Sequence, residues 1–292
     1  MATPILIDCD PGHDDAMALL LALASPELEL LGVSTVHGNQ TLDKTTANAL
    51  RVLELAARGS AAEVHGETGL DGPDLPAPVN SPVEQHAVDF LAERLAAADR
   101  PVTLIPTGPL TNIALLLAQH PGIAPQIERI VLMGGAIAEG NVTPAAEFNI
   151  WVDPEAAARV FASELDITMV GLDVTHRALM TAEHADALRA SGRVGTVVAE
   201  LWAFYHQHHK RVYDMPGTPV HDALAVAHVI RDDLLQTQRC NVAIDCASEL
   251  CLGRTVVDLW HVTGREANAH VGVEVDGPAF LDLLVERISS LG

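Results

Sequence analysis

Residues 5–16 read ILIDCDPGHDDA, and the interpretation of the whole chain starts there. Residues 5–8 have the apolar character of a strand and run into a loop that carries Asp8, Asp10, Asp14 and Asp15. Pro11 fixes φ and Gly12 permits positive φ, so a tight turn is expected between the two aspartate pairs. The run AMALLLALA that follows holds helix formers and neither Gly nor Pro. The carboxylates therefore stand where a strand ends and a helix begins. That is the edge at which α/β sheets bind ligands.

Four ionised carboxylates this close together repel one another unless some face solvent or a cation gathers them. Simple structural roles cover part of the set: Asp14 as a cap of the following helix, Asp8 as the end of the strand. They do not cover all four. No His or Cys set accompanies the aspartates, so the ligand chemistry is oxygen, and the matching guest is a hard ion, Ca²⁺ or Mg²⁺.

Composition narrows the function classes. A formal charge of −22 leaves no basic footprint for nucleic acid or an anionic membrane. Lys44 and Lys210 are the two lysines, which favours a neutral substrate over a phosphorylated one. No apolar run approaches the ~20 residues that span a bilayer. The beginning MATPILIDCD has no basic region ahead of an apolar core, so a cytoplasmic protein without a signal peptide is expected. Cys9, Cys240, Cys246 and Cys251 form no Cys-x-x-Cys pair and are read as reduced thiols.

Along the chain, strand patterns alternate with helix patterns. Strands are expected at 28–36, 102–106, from IERIVLM to Gly134-Gly135, and at 166–170; helices at 42–57, 83–98 and, after Thr107-Gly108-Pro109, through Gln119. The Gly- and Pro-rich stretch 66–82 reads as loop. After Ala182 the pattern is helical as far as Ile230. Strands at 238–245, 250–258 and 269–275 follow without long helices between them and are expected to pair antiparallel. The fold class is α/β: an open, mostly parallel sheet flanked by helices, with a helical and small β C-terminal part. No internal repeat or low-complexity linker interrupts residues 1–292, so they are read as a single domain.

Polar residues collect at the ends of those strands: Asn39, Thr107, and then Asn141, Glu147 and Asn149 after the Gly134-Gly135 turn. His221-Asp222 opens a late helical run, where Asp222 has the plain alternative role of an N-cap. Amides and carboxylates sharing one sheet edge suit a polyhydroxylated ligand of little charge. Tyr205, His209 and Tyr213 recur at helical spacing and share a face, which could line a pocket. His206, His208 and His209 also admit a minor transition-metal reading.

The motifs DCDPGHDDA, PTGPLTNIA, VLMGG, EFNIWVDPEAA and VHDALA, in this order through nearly the whole chain, resemble the inosine–uridine-preferring nucleoside hydrolases. The resemblance implies an open α/β fold, a tightly bound Ca²⁺, and hydrolysis of the N-glycosidic bond of ribonucleosides to ribose and free base. By position it assigns Asp10, Asp15, Asp222 and the backbone carbonyl of Thr107 to calcium. It assigns Asp14, Asn39, Asn141, Glu147 and Asn149 to the ribose, and His65 and His221 to the nucleobase side. Asp10 would accept the proton of the attacking water and His221 would assist the leaving base. It also implies a homodimer or homotetramer. Between the helix ending near Arg58 and His65 the chain is shorter than this pattern by a strand and part of a loop: either the sheet is trimmed there or the given sequence omits residues. Two other classes stand beside this one: a Mg²⁺-dependent haloacid-dehalogenase-like phosphatase, whose alternate aspartates would be Asp8 and Asp10, and a non-catalytic calcium-dependent nucleoside or ribose binding protein.

Overall fold

The computed structural model describes residues 1–58, 70, 72–73, 75–213 and 215–292, and the backbone alone at positions 58, 208 and 213. The chain opens with strand β1 (Thr3–Cys9), helix α1 (His13–Ala24), β2 (Leu28–Thr35) and α2 (Leu42–Arg58). It continues with α3 (Ala87–Ala97), β3 (Val102–Pro106), α4 (Thr111–Gln119), β4 (Ile127–Met133), α5 (Phe148–Val152), α6 (Pro154–Phe161) and β5 (Ile167–Val170). Then come α7 (Leu172–Thr175), β6 (Leu179–Met180), α8 (Ala182–Arg189), α9 (Arg193–Tyr213), β7 (Thr218–Pro219) and α10 (His221–Ile230). Last are β8 (Leu235–Ile244), β9 (Thr255–Asp258), β10 (Ala269–Val275) and α11 (Gly277–Ser289).

The main sheet has the order β2-β1-β3-β4-β5-β10-β8-β9. Every pair from β2 to β10 is parallel, and β8 runs antiparallel to both β10 and β9. The expected antiparallel ending is thus present, but β10 also joins β5 in parallel, with His270 opposite Thr168. Strand alternation divides the core. Ile5, Ile7, Val131 and Met133 face a layer containing α1, α9, α10 and α11, while Leu6, Leu104, Ile130 and Leu132 face α3, α4 and α6. Helix α1 is buried along 15–22 because α10 and α11 cover the side turned away from the sheet.

Two local expectations are corrected. Gly12 does not use the left-handed region: it has φ −105° and caps α1, its N–H donating to Asp15 Oδ2 at 2.9 Å. A Cβ there would meet the Asn39 amide nitrogen at 3.1 Å, so glycine is needed for close approach rather than for handedness. The helical stretch after Ala182 is also broken, since Thr218-Pro219 leaves it to pair antiparallel with Leu179-Met180. Proline fits this short two-stranded ribbon, which leaves its own ladder positions free.

Behind the first loop, Asp8 points into the α3–α4 layer instead of merely ending a strand. Its Oδ1 accepts from Ser34 Oγ at 2.6 Å and from Asn112 Nδ2 at 2.9 Å, and the same amide donates to Thr35 O at 3.1 Å. Burial nevertheless pushes the Asp8 pKa up to about 6. Asn112→Ala removes both bonds and leaves a buried carboxyl short of a donor, so we expect a loss of about 1–3 kcal/mol. A urea-unfolding midpoint unchanged from the parent would refute this.

Candidate active site

Because β1 to β5 run parallel, their C-terminal ends share one edge, and the site is built there. β1 delivers Asp10, β2 delivers Asn39, β3 delivers Thr107, and the segment after β4 delivers Asn141, Glu147 and Asn149. Asp14 and Asp15 occupy the first turn of α1, and His221 and Asp222 the first turn of α10, which packs against α1. The positive ends of two helix dipoles therefore meet the carboxylates. Neither Asp14 nor Asp222 is an N-cap; Gly12 and Val220 hold those positions. The plain capping roles fall away.

A cavity of about 320 Å³ opens over this edge. Its lining includes the polar Asp14, Asn39, Thr107, Asn141, Glu147, Asn149 and Asp222 together with the rings of His176, Tyr205, His209 and His221. Carboxylate oxygens of Asp14, Asp15 and Asp222 come within 4.8 Å of one another. Asp10 is wholly buried, with its Oδ2 accepting from Asn39 N at 2.5 Å and its Oδ1 without a hydrogen-bond partner among the described residues. Gly38 and Gly108 press on this carboxyl; a Cβ at Gly108 would lie 2.6 Å from Asp10 Oδ1. Asp15 is held by Gly12 N–H and by Thr107 Oγ1, each at 2.9 Å.

The amides divide their atoms between framework and cavity. Asn39 Nδ2 donates to Asp10 O at 3.2 Å, and Asn149 Nδ2 to Thr107 O at 2.9 Å. Asn141 Oδ1 accepts from Phe148 N at 2.9 Å. Glu147 is the N-cap of α5: its carboxylate takes N–H bonds from Gly135 and Asn149 at 2.9 Å and from Ile150 at 3.2 Å. Glu147 thus has a framework role that its sequence position alone did not reveal.

Among the rings at the cavity, Tyr205 and His209 do share a helix face, with centroids 4.4 Å apart. His221 Nδ1 is 2.7 Å from Thr175 Oγ1, and His176 meets the His221 ring edge-on at 5.5 Å. Burial, followed by the neighbouring His176 and His209, holds the His221 pKa well below the usual imidazole value, so the ring is neutral. His206 turns away, stacking on Trp202 and bonding Thr218 Oγ1 at 2.8 Å, so His206 and His209 do not converge on a metal. His65 lies outside the described residues, as do the side chains of His208 and Tyr213. Thr175 and His176 were missed by the sequence reading, although their place just after β5 matches that of every other strand-end residue at the site.

The family description "Inosine-uridine preferring nucleoside hydrolase" matches residues 5–282. This chain belongs to the nucleoside hydrolases. A relative from Shewanella sp. (strain ANA-3), named pyrimidine-specific ribonucleoside hydrolase RihA, is 51% identical over 99% of this chain and 97% of its own. One of the same name from Citrobacter koseri is 46% identical over 99% of each chain. Among solved structures, a purine-preferring ribonucleoside hydrolase from Gardnerella vaginalis superposes with TM-score 0.90 at 32% identity, covering 99% of each chain. A plant nucleoside hydrolase superposes with TM-score 0.89 at 31% identity, over 99% of this chain and 100% of its own. The Shewanella alignment runs over 308 positions against 292 residues here, so that relative carries residues this hydrolase lacks. The protein is an enzyme that hydrolyses the N-glycosidic bond of ribonucleosides. The phosphatase and the non-catalytic readings are thereby set aside.

Hydrolases of this family are metal-dependent, and the residues of this site fit a cation. Asp222 lies within hydrogen-bond reach of both Asp14 and Asp15, a spacing that carboxylates tolerate only around a shared proton or a cation. The buried Asp10 Oδ1 without a partner makes the same demand. Burial and then Asp15 push the Asp14 pKa up to about 7 from an ordinary 3.8, and burial raises Asp10, Asp15 and Asp222 too. An acid raised by folding holds its proton more tightly folded than unfolded. Its stabilising contribution is complete below the ordinary value and is lost as pH rises through the folded one. Chelated hydrolase should therefore melt at progressively lower temperature as pH climbs from about 4 through 7, measured by calorimetry. Metal added in ~100-fold excess over its dissociation constant should restore roughly 2.7 kcal/mol at neutral pH. A chelated protein whose melting temperature rises over that range would contradict the account.

Proposed function

We propose that this hydrolase is a calcium-dependent enzyme that prefers pyrimidine ribonucleosides. The observation that carries the metal reading is the convergence of buried carboxylates with an all-oxygen donor set, which suits a hard ion taking roughly 6–8 oxygens. The base preference is supported by the relatives named pyrimidine-specific, 46–51% identical over nearly the whole chain, against 32% for the purine-preferring structure. Asp10, Asp15, Asp222 and the Thr107 carbonyl are proposed to hold the ion. Asp14, Asn39, Asn141, Glu147 and Asn149 are proposed to hold the ribose, with Tyr205, His209 and His221 facing the base. The oligomer is proposed to be a homodimer or homotetramer, and residues 1–292 a single domain. Four free cysteines suit a reducing compartment, the cytoplasm.

The chemistry follows from the charge layout. Breaking the C–N bond puts positive charge on the ribose ring, and a floor of carboxylates favours that cation over the neutral substrate. Bound Ca²⁺ would supply coordination that fixes ribose hydroxyls and a water beside the anomeric carbon. Asp10 takes a proton from the attacking water, whose oxygen bonds to the anomeric carbon as the bonding pair departs with the base. His221 meets the departing base across the cavity.

His221→Ala should lower kcat on uridine by ~10²–10³-fold, the range for losing one donor to a developing anion, and slow a nitrophenyl riboside far less, since that leaving group needs no help. Asp10→Asn should slow both. Equal slowing of the two substrates by His221→Ala, at parental calcium content, would remove the histidine from the leaving-group role. Asp14→Ala should keep calcium, read by metal analysis, yet lose most turnover; loss of the ion would make Asp14 a ligand instead. Uridine should exceed inosine in kcat/KM, and the reverse order would end the pyrimidine assignment.

A further inference from the structure

The fold commits one of the two ring nitrogens of His221. Nδ1 lies 2.7 Å from Thr175 Oγ1, and Thr175 is wholly buried at the last position of α7. That short helix is fixed to the neighbouring strand end by Leu172 N donating to Gly135 O at 2.9 Å. Among the described residues the Thr175 hydroxyl makes no other hydrogen bond. This decides the direction of the bond. If Nδ1 carried a proton, the hydroxyl would have to accept it, and its own buried hydrogen would have no acceptor. In the satisfied arrangement Thr175 donates its O–H to the Nδ1 lone pair. The imidazole proton is then on Nε2, which has no partner among the described residues, on a ring that lines the cavity.

We propose that Thr175 is a positioning residue that fixes His221 as the Nε2–H tautomer, so that a neutral imidazole presents an N–H to the departing base. This deepens the proposed function and rests on the placement of His221 at the base. The electron pair of the broken C–N bond stays on the base and spreads, in a pyrimidine, onto the carbonyl oxygen beside the glycosidic nitrogen. The Nε2–H donates a hydrogen bond to that oxygen without giving up its proton. The water supplies hydroxide to the sugar, and its remaining proton reaches the base by way of Asp10 and solvent. A tautomer with its proton on Nδ1 would instead turn a lone pair toward this growing negative charge. Without the threonine hydroxyl, both tautomers are open to the ring.

The calcium-loaded full chain, labelled with ¹⁵N-histidine, reports the tautomer by two-bond ¹H–¹⁵N NMR, the His221 signals being those absent from His221→Gln. Nδ1 in the unprotonated range and Nε2 in the protonated range is the expected result. Thr175→Val should mix the tautomers and reduce kcat on uridine by roughly tenfold with KM within about twofold, the scale of one hydrogen bond. Thr175→Ser, which keeps the hydroxyl, should restore both readouts. A nitrophenyl riboside should slow much less in Thr175→Val. A protonated Nδ1 in the parent overturns the proposal, as does a serine variant as slow as the valine one. If His221→Gln slows the two substrates equally, the placement of His221 at the base fails instead, and the NMR result separates that outcome from failure of the tautomer assignment.

Discussion

Like charges buried together are the constraint that shapes this molecule. Asp10, Asp14, Asp15 and Asp222 cannot lie side by side in a protein interior unless donors, dipoles and a counter-charge hold them. The surroundings supply what the polypeptide can. Backbone N–H groups of Gly12 and Asn39, the Thr107 hydroxyl and the N-termini of α1 and α10 all address the cluster. Small residues at 38 and 108 leave the room that the Asp10 carboxyl occupies. Even Asp8, one layer back, has one of its two carboxyl oxygens held by Ser34 and Asn112. The remaining deficit of positive charge is what suits the cluster both to a divalent ion and to a cationic transition state.

The cavity lining is divided by polarity. One group of residues is anionic and amide-rich, suited to hydroxyl groups and to developing positive charge. The other group is made of Tyr205, His176, His209 and His221, with burial holding the His221 pKa low, and suits a flat heterocycle. Glycosidic cleavage separates charge in the same sense, which is what supports the proposed placement of ribose on the one group and base on the other.

Much of this was legible from local patterns. Strand 102–106 was placed to the residue, because a short apolar run between turn residues admits little else. The strand-end positions of Asn39 and Thr107 followed from α/β topology alone. What escaped depended on tertiary contact. The Thr218-Pro219 ribbon exists because Leu179-Met180, distant in sequence, offers it a partner. Glu147 shows its capping role only once α5 is seen to start after it. Thr175 carries no sign of importance until the ring of His221 is found against it.

The place of β10 in the sheet has a consequence for how the enzyme is made. Strands β1 to β5 can pair as they leave the ribosome, and β8 can pair with β9, but β5 and β8 are not neighbours in the sheet; β10 lies between them and pairs with both. The sheet is therefore an unclosed pair of fragments until residues 269–275 are synthesised. During that interval two strand edges stand open, each a template for a neighbouring nascent chain. A ribosome that stalls late in this message would release a protein with every proposed active-site residue present and its central sheet still in two pieces.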